Sequence, residues 1–275
     1  MSIASTITLN NGVNIPRLGL GVYRSPAGDT TIQAVSAALE AGYRHIDTAM
    51  IYGNERAVGK AVRESGIPRD EVFVTTKLWN DDHGYESALR ACDKSLSELG
   101  LDVIDLYLIH WPLPEKRLDT WRAFEKLLAD GKVRAIGVSN YMAHHLTELL
   151  ANSETVPAIN QIELSPYNYG YRQSTVDVCR ENGIVLEAYS PLTKGRKLND
   201  PALTALAAKY NKSAAQILIR WVIQIDAVVI PKSVNPVRIA ENGDVFDFEI
   251  SADDMDALNA LNENLVTGWD PTDAP

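Results

Sequence analysis

Residues 71–110 read EVFVTTKLWNDDHGYESALRACDKSLSELGLDVIDLYLIH. Two apolar runs, EVFVTTK and VIDLYLIH, flank a stretch in which Ala88, Leu89, Cys92, Leu96 and Leu99 recur at helical spacing. The second run is almost continuously apolar, the pattern of a strand covered on both faces. Strand, helix and strand in this order predict a parallel pair with the helix outside it. Both runs end on a polar residue, Lys77 in one and His110 in the other.

The alternation extends in both directions. TITLNNGVNIPRLGL reads as a hairpin punctuated by NNG that runs into a first core strand, RLGLGV. TIQAVSAALEAG places Ile32, Val35, Ala38 and Leu39 on one helical face and stops at Gly42. RHI is a short strand, and NERAVGKAVRESG is a helix closed by Gly66 and Pro68. After residue 110, the helix DTWRAFEKLLADG precedes the strand VRAIGVSN, AHHLTELLANS precedes AINQIEL, and STVDVCRENG precedes IVLEAY. PALTALAAKY and SAAQILIRWVIQ lead to a last strand, AVVIPKS, and SADDMDALNALNENL is a terminal helix with Ser251 as its N-cap. Eight strands counted from RLGLGV favour a closed (β/α)₈ TIM barrel over an open sheet, with an N-terminal β-hairpin cap and a C-terminal helix and tail. GLGVYR lacks the third glycine of a dinucleotide-binding turn. No Pro-, Gly- or Ser-rich linker divides the chain, so residues 1–275 are expected to form a single barrel domain.

Composition narrows the function classes. The apolar fraction of 45% suits a large core, and the formal charge of −10 speaks against a general nucleic-acid binder, which needs a basic footprint. Cys92 and Cys179 read as buried helix residues without a CxxC arrangement. Neither a basic leader before an apolar run nor an 18-residue apolar stretch is present, so a cytoplasmic protein without membrane partners is expected. A barrel closes its own sheet and leaves no open edge, which makes a monomer the expectation.

Polar exceptions recur at the carboxyl ends of the strands. Asp47 follows RHI, Lys77 and His110 end their runs, Ser139 and Asn140 end AIGVSN, and Gln161 lies within AINQIE. Tyr189 ends VLEAY and Lys232 ends VVIPK. In a barrel these ends form one ring around a common pocket. Tyr52, just past Asp47 in DTAMIYGNE, then has partners: an ammonium from Lys77 is expected to favour its phenolate and lower its pKa, with Asp47 orienting Lys77. His110 would bond the substrate oxygen or relay a proton. Such a group suits carbonyl reduction, in which hydride reaches carbon and Tyr52 protonates the developing alkoxide. No metal is expected: there is no HExxH, and the adjacent His144 and His145 read as surface residues pointing in different directions.

The stretches GYRHIDTAMIYGNE, VFVTTKLWN, DLYLIHWP, RAIGVSN, NQIE, EAYSPL and IPKSVNPVRIAEN, in this order, resemble the aldo-keto reductases, a family of NAD(P)H-dependent (β/α)₈ barrels. The resemblance covers nearly the whole chain. It implies a catalytic tetrad of Asp47, Tyr52, Lys77 and His110, with Tyr52 the general acid in reduction. It implies that Ser139, Asn140 and Gln161 hold a nicotinamide carboxamide, that Tyr189 stacks on the ring, and that Ser190 and Leu192 lie beside the pyrophosphate. Lys232, Ser233 and Arg238 resemble the family's grip on an adenosine 2′-phosphate, with Glu241 and Asn242 at the adenine edge; a dianionic phosphate needs cationic donors, so NADPH is implied over NADH. For the small-molecule carbonyl substrate, Tyr23, Trp79 and Trp111 would form an aromatic wall beside His110, Met50 would add an apolar contact, and Trp269 would either fold over the mouth or stay exposed.

Two stretches depart from the mammalian members. HWPLPEKRLDTW and YSPLTKGRKLNDPAL are short, as in microbial relatives such as 2,5-diketo-D-gluconate reductase and prostaglandin F synthase. Ser165 stands where relatives commonly have histidine. A cofactor-binding regulatory barrel with little catalysis, of the kind found among potassium-channel β subunits, would carry a similar site and is the alternative to a reductase.

Overall fold

In the computed structural model, which describes residues 1–275, the apolar runs become ten strands. β1 (Thr6–Thr8) and β2 (Asn14–Pro16) pair antiparallel, Ile7 opposite Ile15. The other eight are parallel and neighbours in chain order: β3 (Leu20–Gly21), β4 (His45–Asp47), β5 (Phe73–Leu78), β6 (Ile104–Ile109), β7 (Val133–Ser139), β8 (Ile159–Glu163), β9 (Val185–Tyr189) and β10 (Val228–Val229). Bridges from Leu18 to Val229 and from Gly21 to Lys232 join the first strand to the last and close the barrel. The first and last strands are shorter than RLGLGV and AVVIPKS suggest, because their contact reduces to these isolated bridges. No helix is long and apolar enough to cross a membrane.

Strand parity decides what the barrel holds. Along β6, Tyr107 and Ile109 belong to the large core between sheet and helices, whereas Leu106 and Leu108 belong to a smaller cluster inside the barrel. Phe73, Ala135, Ile159 and Val228 join that inner cluster, and Leu9 and Ile15 of the hairpin segment close it from below. Asn10 and Asn11 fasten the hairpin by donating to the carbonyls of Pro157 (3.0 Å) and Arg134 (2.9 Å). Side chains two residues apart share a face. Moving up from the apolar floor, the inward positions therefore become His45 and Asp47 on β4, Thr75 and Lys77 on β5, Ser139 on β7, Gln161 on β8, and Glu187 and Tyr189 on β9. The site sits on this floor.

The helices also have one contact that admits no side chain. Gly59, on the helix Glu55–Glu64, faces the end of the helix Tyr85–Leu99; a Cβ there would lie 1.8 Å from the Leu99 carbonyl oxygen. Gly59→Ala must push the two helices apart and is expected to cost about 1–3 kcal/mol, read as a lower urea midpoint at unchanged slope.

One helix, Pro236–Gly243, is absent from the sequence reading. Its signal is present: the Asn235 side chain accepts from the backbone N–H of Val237 (2.9 Å) and Arg238 (3.2 Å), with proline at the first helical position.

Candidate active site

Beneath the mouth of the barrel lies a buried ion pair. Lys77 Nζ donates to Asp47 Oδ1 (2.8 Å), Asp47 Oδ2 (2.7 Å) and the Thr48 carbonyl (2.8 Å), so all three ammonium protons have partners. Lys77 is fully buried and Asp47 nearly so. Burial pushes the Asp47 carboxyl up, while Lys77 and a hydrogen bond from Gln161 pull it down. Such a pair is held by its hydrogen bonds, since desolvation alone would disfavour both charges.

Above it opens a cavity of about 720 Å³, into which Asp47, Tyr52, His110, Ser139, Asn140, Gln161 and Tyr189 all face. The 3₁₀ turn Met50–Tyr52 carries Tyr52 over the pair, with Lys77 Nζ 5.3 Å from the phenol ring centroid. The Tyr52 pKa is not lowered as the sequence suggested. It is pushed well above the ordinary phenol value, by burial first and then by Asp47, Tyr189 and Tyr23. Lys77, hydrogen-bonded to both Asp47 oxygens, does not outweigh these contributions. Tyr52 thus stays protonated at neutral pH.

His110 packs edge-on to Tyr52 and Trp79, at ring separations of 5.8 and 5.3 Å. Burial, aided by the Lys77 charge, holds its pKa well below the usual imidazole value, so the ring is neutral. Its Nδ1 is buried without a partner, which leaves Nε2 as the nitrogen open to the cavity. Asn140, in the left-handed region at φ 64°, turns the chain sharply after β7. Its Nδ2 donates to the His110 carbonyl (2.9 Å) and Ser139 Oγ (3.1 Å), and its Oδ1 accepts from the Tyr189 hydroxyl (2.8 Å). Ser139 Oγ in turn donates to the Gln161 carbonyl (2.9 Å).

Aromatic rings line one wall. Tyr23 leans on Tyr52 at 5.0 Å, and Trp111 stacks parallel to His110 at 5.9 Å. Trp269 does both things the sequence left open: it lines the cavity, edge-on to Trp111 at 4.7 Å, and is 56% exposed. Met50 is a correction. The cavity is lined by Ile51 instead, since one 3₁₀ turn splays successive side chains by about 120°. A second cavity of about 450 Å³ shares Trp79, Trp111 and Trp269 and is closed by Pro112, Leu113, Pro114 and the tail residues Ala274 and Pro275.

Ser190, Leu192 and Lys232 also line the large cavity, joined by Arg24 and Lys194. Ser233, Arg238, Glu241 and Asn242 lie outside it, on the segment that continues from Lys232. Arg238 and Glu241 are exposed and share a helical face, whereas Asn242 is buried. Ser233 Oγ accepts from the Asn235 N–H (3.1 Å) in a local turn.

The tail is fastened where the sequence placed free surface histidines. His144 and His145 do not diverge: their rings lie 3.8 Å apart, both Nε2 atoms approach the Ala274 carbonyl (2.9 and 3.0 Å), and His145 is buried. The buried Glu163 accepts from the Thr267 N–H (2.8 Å), and Lys194 Nζ donates to the Thr267 carbonyl (2.8 Å).

The sequence reading missed Arg24, Lys194, His45 and Glu187. A charge inside the apolar run IVLEAY was the available signal for Glu187. Glu187 is fully buried, paired in register with Gln161. No group of His, Cys, Asp and Glu side chains converges as metal ligands.

Comparison with known proteins adds lineage to this geometry. Residues 17–263 match the model of the Aldo/keto reductase family. The chain is 50% identical over 270 residues to glyoxal reductase of Bacillus subtilis (strain 168), covering 98% of this chain and 97% of that protein. It is 51% identical over 269 residues to 9,11-endoperoxide prostaglandin H2 reductase of Trypanosoma cruzi (strain CL Brener), covering 96% and 94%. The crystal structure of a Bombyx mori aldo-keto reductase in complex with NADP superposes with a TM-score of 0.91 at 42% identity, covering 100% of this chain and 99% of that one.

Proposed function

The chain belongs to the aldo/keto reductase family, and on that premise we propose that it is an NADPH-dependent reductase of aldehydes, ketones or dicarbonyls, built as one domain over residues 1–275. The observation that carries this reading is the convergence of a protonated phenol, a neutral imidazole and a buried Lys–Asp pair on one cavity. The lining suits the cofactor. Asn140 and Gln161 offer side-chain carbonyl oxygens, Tyr189 an aromatic plane, and Arg24, Lys194 and Lys232 the cations a pyrophosphate needs. Arg238, exposed on the adjoining helix, is the directional donor for a 2′-phosphate, with Ser233 beside Lys232 and with Glu241 and Asn242 toward the adenine.

When bound, the reduced cofactor supplies hydride to the carbonyl carbon. His110 Nε2 holds the carbonyl oxygen, and Tyr52 gives that oxygen its proton. The Lys77 ammonium, 5.3 Å from the ring, then lies beside the phenolate that remains. Asp47 holds Lys77 in place through both of its carboxylate oxygens. Tyr23, Trp79 and Trp111 shield the reacting groups from water and receive the apolar part of the substrate.

Chelator-treated protein should consume NADPH, followed by its absorbance, only when an aldehyde or dicarbonyl is added. Tight NADPH binding without turnover across a broad panel would overturn the reductase reading in favour of a regulatory barrel. Arg238→Ala is expected to weaken NADPH about 10–100-fold, the worth of a charge-assisted hydrogen bond, while leaving NADH nearly unchanged; equal losses for both would assign Arg238 to adenine. Trp269→Ala removes a ring that lines both cavities and an aromatic contact with Trp111 worth about 0.5–1.5 kcal/mol. The KM for small aldehydes should rise while bulky aromatic ones keep theirs.

A further inference from the structure

Gln161 is held by two carboxyl groups. Its Nε2 donates to Asp47 Oδ2 at 2.8 Å and to Glu187 Oε2 at 2.9 Å, so both amide protons have partners. The side-chain carbonyl is then the end of Gln161 left for the cavity it lines. One hydrogen bond would let a planar amide rotate; two fix its plane.

Glu187 is unusual as the second holder. It is fully buried, and its Oε1 has no hydrogen-bond partner. The charged or titratable groups around it are Asp47, Lys77 and His45, the last with Nε2 3.7 Å from Oε1. His45 is itself neutral, its pKa pushed down to about 3 by burial and then by Lys77. Its Nε2 lies 3.0 Å from Thr75 Oγ1, and Gly19 leaves it room, since a Cβ there would fall 2.5 Å from His45 Nδ1. Burial first, then the Asp47 charge, push the Glu187 carboxyl up to about 8. A neutral Glu187 still accepts from Gln161 on Oε2. It can therefore sit beside Asp47 without adding a second negative charge.

We propose that Glu187 is a positioning residue for the cofactor: by holding the second N–H of Gln161 it makes that amide present only its carbonyl oxygen to the cavity, and so sets the rotation of the carboxamide bound there. Because Tyr189, two residues on along the same strand face, is tied to Asn140 (2.8 Å), β9 braces the ring position through both side chains. The inference rests on the NADPH-reductase reading.

The test compares the parental protein with Glu187→Gln, which keeps an acceptor oxygen, and with Glu187→Met and Glu187→Leu, which do not. Either apolar variant that melts cooperatively decides. NADPH affinity is read from quenching of tryptophan fluorescence. Face fidelity is read by mass spectrometry of the alcohol formed with NADPH deuterated at one or the other C4 position. The apolar variants should bind NADPH about tenfold more weakly, as for one buried hydrogen bond lost, and should transfer deuterium from both C4 positions. The parental protein and Glu187→Gln should use one position only. Parental affinity and single-face transfer in the apolar variants would overturn the assignment, as would Glu187→Gln behaving like them. A parental protein that binds no NADPH would instead overturn the reductase reading beneath it.

Discussion

Tyr52→Phe is expected to lower carbonyl turnover by about 10²–10⁴-fold, the usual worth of a positioned general acid, and to leave NADPH affinity near parental. The substitution removes one oxygen from a ring packed between Tyr23 and His110 and keeps both ring contacts. The barrel and the Lys77–Asp47 pair below should be undisturbed, so an unchanged melting temperature with lost turnover isolates the proton. The pH profile of the parental enzyme supplies the sign. In the proposed mechanism the reacting form is the protonated phenol, whose pKa lies well above its ordinary value. The rate should not fall with rising pH through the neutral range, and should decline only far on the alkaline side. A variant with near-parental turnover would show that the proton comes from elsewhere.

Lys77→Met should carry the largest stability loss of any single change in the site. It leaves the Asp47 carboxylate buried without its cation, a situation that costs about 3–5 kcal/mol, and urea denaturation monitored by tryptophan fluorescence would show the midpoint fall. Asp47, already pushed up by burial, would lose the charge that pulls it down and would take up a proton. The double variant Lys77→Met with Asp47→Asn removes both charges and keeps an acceptor for the Gln161 N–H now 2.8 Å from Asp47. It should recover much of the stability while staying inactive. Recovery of stability without activity separates the structural share of the pair from the electrostatic role proposed for it at Tyr52. If the double variant were no more stable than Lys77→Met, the loss would come from packing of the lysine stem.

The same physics decided which parts of the site could be read in advance. Asp47, His110, Ser139, Asn140, Gln161 and Tyr189 were legible because each interrupts or ends an apolar run. In a parallel barrel, strand ends on one side meet whatever the intervening helices are. Lys232 and the aromatic residues after the strand ends followed from the same rule. Met50 and Ile51 could not be told apart, because which of them faces a cavity depends on the phase of a single turn. The helix Pro236–Gly243 carries its own local signal, an Asn-Pro start.

What the sequence by itself determined was the order of elements, the closed barrel that eight buried strands favour, and the ring of polar residues where those strands stop. These are local properties: hydrophobic period, capping and the position of a polar residue within its run. Only the tertiary structure decided the charge states. Whether Lys77 could lower the Tyr52 pKa depended on Asp47, 30 residues away on another strand, accepting its hydrogen bonds at 2.7 and 2.8 Å. Whether Glu187 belonged to the site depended on β8 and β9 pairing it with Gln161. Electrostatic interactions fall with distance and grow with burial, and neither quantity exists until the strands have closed around the site.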